Sequence, residues 1–182
     1  YQIQYFLFLL PNTVMMTKNG ILCQTETGNV YLDPKKTDFN GINFVSHAHS
    51  DHLPSKNGGT ILSSIETNHI SEIRGFTMEN HIESLDGFSL IDSGHVLGSK
   101  GLLFDDIFYT GDICTRDRGF LKAAKIPKCK TLITECTFGL PEFSFPKMDE
   151  IENQKIKDLL SIVIFFFLGL LAKERDLFRV LW

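Results

Sequence analysis

The sequence predicts an α/β fold in which strands dominate the first two thirds. Two observations point there. Apolar segments in this region are short and separated by frequent turn signals. One segment alone among them, "IETNHISEIRG", carries apolar residues at helical rather than alternate spacing. A third observation bears on function: polar residues recur where the strands should end, which is where a rigid scaffold presents functional groups.

The elements follow in order. "GILCQTETGNVYLDP" reads as a hairpin, two short β-type runs around Thr27-Gly28-Asn29. "INFVS" is a buried strand leading into a histidine-rich loop, and "TILSS" is the next strand. The helix after it places Ile65, His69 and Ile73 on one face and stops at Gly75. "GFSLIDSG", "KGLLFDD" and "DIFYTGD" give three more strands, the last two joined by an Asp105-Asp106 turn, and "KTLITEC" is another. "LPEFSFP" is a proline-bounded loop. From Met148 onward the acidic start "MDEIENQ", followed by Ile156, Leu159 and Leu160, predicts a helix whose first turn complements the helix dipole.

Composition bounds the chain. Its 182 residues suffice for one full core, or one core and part of a second, and 43% hydrophobic with 22% charged residues excludes a disordered chain. The formal net charge of -4 gives no basic footprint for a polyanion, although bound metal ions would add positive charge locally. Cys23, Cys114, Cys129 and Cys136 form no C-x-x-C pair, so reduced thiols are expected, with Cys23 and Cys136 as small strand hydrophobes. Reduced thiols suit a cytoplasmic protein. Both "YFLFLLP" and the apolar run from Leu159 to Ala172 are shorter than the roughly 20 residues that span a bilayer, so no membrane anchor is expected. The run reads instead as a core segment whose partner is missing, and the chain, which begins at Tyr1, as a fragment.

The chemistry is concentrated in "VSHAHSDH" (45–52). The chain has six histidines, and half of them stand in this one loop as His47, His49 and His52, with Asp51 between the last two. The pattern His-x-His-x-Asp-His, with small residues in the gaps, is neither a terminal tag nor a contiguous tract. Imidazole and carboxylate are the ligands that borderline metals such as zinc accept. His95 after "IDSG", Asp112 after "FYTG" and Glu135 after "TLIT" repeat the strand-end placement, with Gly94, Gly98 and Gly111 nearby to allow tight backbone turns. His69 is expected to pack at a core edge, and His81, between Glu79 and Glu83, to make a surface pair. Arg116, Arg118 and Lys122, in "TRDRGFLKAAK", lie beside the expected metal ligands and suit contacts to a phosphate backbone.

In this order, "HAHSDH", "SGHVLGS" and "YTGD" resemble the successive metal motifs of the metallo-β-lactamase superfamily. "ITECTFG" resembles the acidic motif of its nucleic-acid-processing branch, the β-CASP group. The longer "TECTFGLPEFSFP" is similar to archaeal mRNA 3′-end processing factors and bacterial ligase-associated DNA exonucleases. The resemblance covers residues 20–146. It implies an αββα sandwich, sheets inside and helices outside, of which this chain holds the N-terminal part. Residues 1–146 would be a partial metallo-β-lactamase domain, and 147–182 the start of a truncated β-CASP-like region with an apolar tail.

The same resemblance implies the ligand set. His47, His49 and His95 would hold one zinc, Asp51 and His52 a second, and Asp112 would bridge them. Asp51 and Glu135 are the implied catalytic residues, Asp51 orienting the attacking water and Glu135 orienting a metal-bound histidine. Zinc lowers the pKa of a bound water toward ~7, and a pair of ions stabilises charge through a displacement at phosphorus. The chain departs from the pattern in one respect: no histidine follows His95, whereas the branch places two further on, one a general acid and one a zinc ligand. One well-ligated zinc out of the family's two is therefore expected. The implied function is a zinc-dependent phosphodiesterase acting on single-stranded RNA or DNA, with little activity in this chain. A thioester or lactam hydrolase is the alternative enzyme, and a degenerate, non-catalytic binding module the alternative to an enzyme.

Overall fold

The computed structural model describes residues 12–56, 58–137, 144–147, and 150, 151, 153–155 and 157. "YFLFLLP" and the apolar tail lie outside them, as does most of "LPEFSFP". The chain divides into two compact units, Tyr1–Glu135 and Cys136–Trp182. In the second unit, residues 150, 151, 153–155 and 157 are helical, where the acidic start predicts a helix. Among the described residues no helix is long and apolar enough to cross a membrane.

The first unit is built from two mixed sheets. Strands β1 (Thr13–Thr17), β2 (Gly20–Thr25), β3 (Gly28–Leu32), β4 (Ile42–Phe44), β5 (Thr60–Leu62) and β6 (His81–Ile82) lie side by side in chain order. β1 to β3 are antiparallel; β3 to β6 are parallel. The second sheet runs β10 (Thr131–Ile133), β9 (Ile107–Tyr109), β8 (Lys100–Phe104), β7 (Ser89–Asp92), with only the β9–β10 pair parallel. The two sheets share one apolar core. Cys23, Val30, Leu32, Phe44 and Leu62 of the first pack with Leu102, Phe104, Ile107 and Tyr109 of the second. Phe44 and Tyr109 meet edge to face with centroids 6.2 Å apart. Burying a side chain such as Phe44 contributes about 1.5–3 kcal/mol.

The expected strands are present, and the Asp105-Asp106 turn is tight: both residues have positive φ, 43° and 63°, the left-handed pair that matches strand twist. The hairpin turn falls earlier than the expected Thr27-Gly28-Asn29, because Gly28 and Asn29 pair with Thr25 and Gln24 and leave Glu26-Thr27 as the loop. Two strands had no signal in the sequence. β1 is an edge strand whose Met16 is 81% exposed, and β6 pairs just two residues of its own with β5. Neither shows an inside-outside alternation long enough to read.

Helix α1 (Ile65–Ile73) forms where its spacing predicts but buries another face. Ile73 is 85% exposed and His69 is exposed, so His69 does not pack at a core edge; Thr67 and Ser71 face inward instead. The reason is a hydrogen-bonded dock. Ser64 caps the helix by accepting from Thr67 N, and the Ser64 and Thr67 hydroxyls both donate to Gly98 O, at 2.6 and 3.1 Å. His81 is half-buried rather than a surface residue, its Nε2 3.1 Å from Ser63 O. All four cysteines are free; Cys23 is buried in β2, but Cys136 is exposed and lies beyond the end of β10.

Candidate metal centre

Beyond β4 the chain stays buried through Val45, Ser46, His47 and Ala48 before turning outward. Val45 N donates to Leu62 O at 3.0 Å, and Lys100 N donates to Ser46 O at 2.9 Å, which ties the histidine loop to both sheets. His95 follows β7 on the loop that returns as β8, and Asp112 follows β9. Three separate strand ends therefore deliver side chains to one place.

Four ligand atoms meet there. His47 Nε2 lies 3.0 Å from His49 Nδ1, and His49 Nδ1 lies 3.3 Å from His95 Nε2. Asp112 Oδ2 lies 3.7 Å from His47 Nε2 and 3.4 Å from His95 Nε2. All four atoms fall within 4.8 Å of one another. Ligands held at ~2.0–2.1 Å around a tetrahedral ion stand about 3.3 Å apart, so these separations match such a cage. The three imidazoles are close to mutually perpendicular, at 76–85°, which fans their nitrogens toward a common centre. This group can hold a metal ion.

The other oxygen of Asp112 faces a second group. Oδ1 lies 3.5 Å from His52 Nε2, and His52 Nε2 lies 3.7 Å from Asp51 Oδ2. Asp51 is 79% exposed, so its carboxylate sits at the mouth of the site.

Asp33 orients both halves, and no pattern singled it out. It stands just after β3 with φ 43° and a side chain 7% exposed. Its Oδ1 accepts from Ser46 N at 2.7 Å. Its Oδ2 accepts from Ser46 Oγ at 2.7 Å and Tyr109 Oη at 2.8 Å, and lies 2.7 Å from His52 Nδ1. An ionised carboxylate only accepts, so His52 carries its proton on Nδ1 and turns a bare Nε2 toward Asp112. The Ser46 hydroxyl spends its proton on Asp33 and must accept from its other neighbour, His47 Nδ1, at 2.9 Å. His47 thus also presents a bare Nε2 to the cluster. The signal available was the same strand-end placement that marks Asp112: an acid closing an apolar strand, here before Pro34.

Electrostatics sharpen the roles. Burial holds His47 well below its ordinary value, down to about 3, so it stays neutral with its lone pair available. Burial also lowers His95, outweighing the Asp112 charge that would raise it. Burial opposes charge on His52 as well, but the hydrogen bond and charge of Asp33, with Asp112 and Asp51, override it and raise its pKa. His52 therefore sits where a positive charge is favoured, whether from a proton or a metal ion.

Two of the remaining expected residues, Glu135 and Arg118, bond to backbone beside this centre. Glu135 Oε1 accepts from Ile113 N at 2.9 Å, pinning the backbone next to Asp112. Arg118 turns inward: its Nη2 donates to the carbonyls of His95 and Gly94. Arg116 is exposed.

No family model matches the chain. It is 28% identical over 123 residues to a probable DNA ligase of Opitutus terrae, a match covering 60% of this chain and 12% of that protein. The chain thus corresponds to a small part of that relative.

Proposed function

We propose that the chain is the metal-binding part of a zinc-dependent phosphodiesterase that cleaves RNA or DNA strands, of the β-CASP branch of the metallo-β-lactamase superfamily. One observation carries the reading. Asp112 directs Oδ2 toward His47 and His95 and Oδ1 toward His52, as a carboxylate shared between two metal positions would. Two mixed sheets on one core, with ligands at their strand ends, suit the αββα sandwich that the motifs imply. The relative named as a DNA ligase supports a nucleic-acid substrate.

His47, His49, His95 and Asp112 would hold one zinc, and Asp51, His52 and Asp112 the other. Zinc there would supply Lewis-acid stabilisation of charge on a phosphoryl oxygen and a lowered pKa for water. The chain's own part is orientation. Asp33 and Ser46 fix the histidine tautomers, Glu135 fixes the backbone beside Asp112, and the exposed Asp51 carboxylate can accept a proton from an incoming water.

The test is turnover of bis(p-nitrophenyl) phosphate by the zinc-supplemented chain, with a chromogenic β-lactam as the comparison. The phosphodiester should be hydrolysed and the lactam not, and Asp112→Ala should abolish turnover. Lactam hydrolysis alone, or no zinc-dependent hydrolysis of the diester, would refute the proposal.

A further inference from the structure

Phe120 is 78% exposed at the tip of a tight hairpin, a position where a large apolar side chain gains nothing for folding. The hairpin is closed by reciprocal 2.9 Å bonds, Arg118 N to Leu121 O and Leu121 N to Arg118 O, leaving Gly119 and Phe120 as its turn. Gly119, with φ 56°, supplies the left-handed first position of the turn, which leaves the second position open, so the phenylalanine there is not required by the turn.

The tip is held firmly. The Arg118 guanidinium donates to the carbonyls of Gly94 and His95. Asp117 accepts from Ala123 N at 2.8 Å and from Lys122 Nζ at 2.9 Å, and Ala124 N donates to Cys114 O at 2.8 Å. Phe120 is thereby fixed relative to His95, whose Nε2 belongs to the metal-ligand cluster.

Beside it lies a pocket of about 230 Å³. Phe120, Leu121, Val96 and Leu97 provide apolar walls, Val96 being the residue after His95. Its charges balance: Glu66 and Asp92 stand against Lys100 and Lys122. Lys100 is tied to Asp92 at 2.5 Å, and Lys122 is tied to Asp117. A pocket without surplus positive charge does not suit a phosphate. It suits a flat, uncharged group with polar edges and an apolar face. A nucleobase has that chemistry, and base–aromatic stacking tolerates any base sequence.

We propose that Phe120 and this pocket form a base-stacking subsite for a nucleotide of the strand whose phosphodiester lies at the metal-ligand cluster. Arg118 is a positioning residue for that subsite, holding the stacking tip against the His95 loop. The inference rests on the proposed phosphodiesterase function and names how the strand is gripped.

The experiment is fluorescence anisotropy with end-labelled single-stranded DNA and RNA and the zinc-loaded full chain, read in the cold before cleavage sets in. Phe120→Ala should weaken binding of both by roughly 5- to 150-fold, the range that base–aromatic stacking spans, and Phe120→Tyr should restore most of it. An abasic position walked along the oligonucleotide should weaken wild-type binding at one register and leave Phe120→Ala indifferent. Equal binding by wild type and Phe120→Ala, a flat abasic walk, or no binding of either strand would overturn the subsite. Turnover of bis(p-nitrophenyl) phosphate by the wild type reads the phosphodiesterase function separately, because that substrate carries no base. Turnover with Phe120-independent binding removes the subsite alone, and base-dependent binding without turnover removes the phosphodiesterase.

Discussion

Tyr109 donates its hydroxyl to Asp33 Oδ2 at 2.8 Å, joining the end of β9 in one sheet to the residue after β3 in the other. Burial, and then the charge of Asp33, raises the Tyr109 pKa, so the phenol remains a donor throughout the ordinary pH range. The bond fixes the carboxylate that also receives Ser46 and His52. Asp33→Ala strands four donors at once, two from Ser46 and one each from Tyr109 and His52. It should cost about 2–5 kcal/mol in denaturant unfolding, each buried unsatisfied group costing ~1–3 kcal/mol. It should also weaken zinc binding about 10–100-fold in chelator competition, as loss of such orienting partners does. Tyr109→Phe removes one donor and leaves Asp33 its other partners, so a loss nearer ~1 kcal/mol is expected. An Asp33→Ala protein with wild-type zinc affinity would remove Asp33 from the site.

The buried His47 makes the metal-free protein acid-sensitive. Its folded pKa, about 3, lies below the ordinary 6.5, so between these values the unfolded chain binds a proton that the folded chain refuses. Stability from this residue is present above pH 6.5 and is lost as pH falls toward 3. His95, also lowered, adds to the trend; His52, raised by Asp33, opposes it. Urea midpoints of the metal-free protein measured from pH 7 to 4 should fall, and His47→Gln should flatten the slope. A slope unchanged by that substitution would show that another group controls acid unfolding.

Gly94 should tolerate no side chain. Its φ is 70°, and an added Cβ would lie 2.6 Å from Cys114 O and 2.7 Å from Lys122 O, both backbone atoms. Gly87, with φ 83° and nothing within 4 Å of its Cβ, is the control for backbone conformation alone. Gly87→Ala should cost about 1–2 kcal/mol, the left-handed penalty by itself. Gly94→Ala should cost clearly more and should displace His95, weakening zinc binding as well. Equal losses at the two positions would mean that the 94 loop moves freely.

The fold and the ligands were legible to different degrees, for physical reasons. The cluster of His47, His49, His95 and Asp112 could be read because a candidate metal site restricts the residue types and their strand-end positions. Asp33 makes ordinary hydrogen bonds, and an aspartate before proline reads equally well as a turn. The strands β2 to β5 and β7 to β10 announced themselves through short apolar runs. β1 and β6 did not, since the ladder bonds that hold edge strands leave no mark on side chains. The spacing of Ile65, His69 and Ile73 located α1 but misassigned its buried face, because the helix docks through Ser64 and Thr67 on Gly98 O and not through an apolar stripe.

Metal binding should be unequal. His47, His49, His95 and Asp112 supply four donors, enough for a closed tetrahedral site. His52, Asp51 and the second Asp112 oxygen supply three, and Asp51 is 79% exposed. Mild chelation of the zinc-loaded chain should therefore leave close to one zinc per chain by atomic emission, and His49→Ala should remove it. Two zincs of equal affinity would reveal a ligand beyond these six residues.

The last expectation concerns what the chain can cleave. Attack on a phosphodiester needs orientation and charge stabilisation at the phosphoryl group, which the proposed metal centre around Asp112 would provide. Expelling a sugar oxygen also needs a proton. No histidine follows His95 in this chain, and the histidines of the cluster turn their nitrogens toward one another and toward Asp112. General acid catalysis contributes ~10²–10⁴-fold, so strand cleavage should be slower than hydrolysis of a diester with an activated leaving group by about that factor. p-Nitrophenolate leaves without protonation, which makes bis(p-nitrophenyl) phosphate the informative partner to labelled single-stranded DNA and RNA. Asp112→Ala and Asp51→Ala should abolish both reactions, since both depend on the same attack. Strand cleavage as fast as diester hydrolysis would require a proton donor within this chain, and cleavage surviving Asp112→Ala would place the reaction elsewhere.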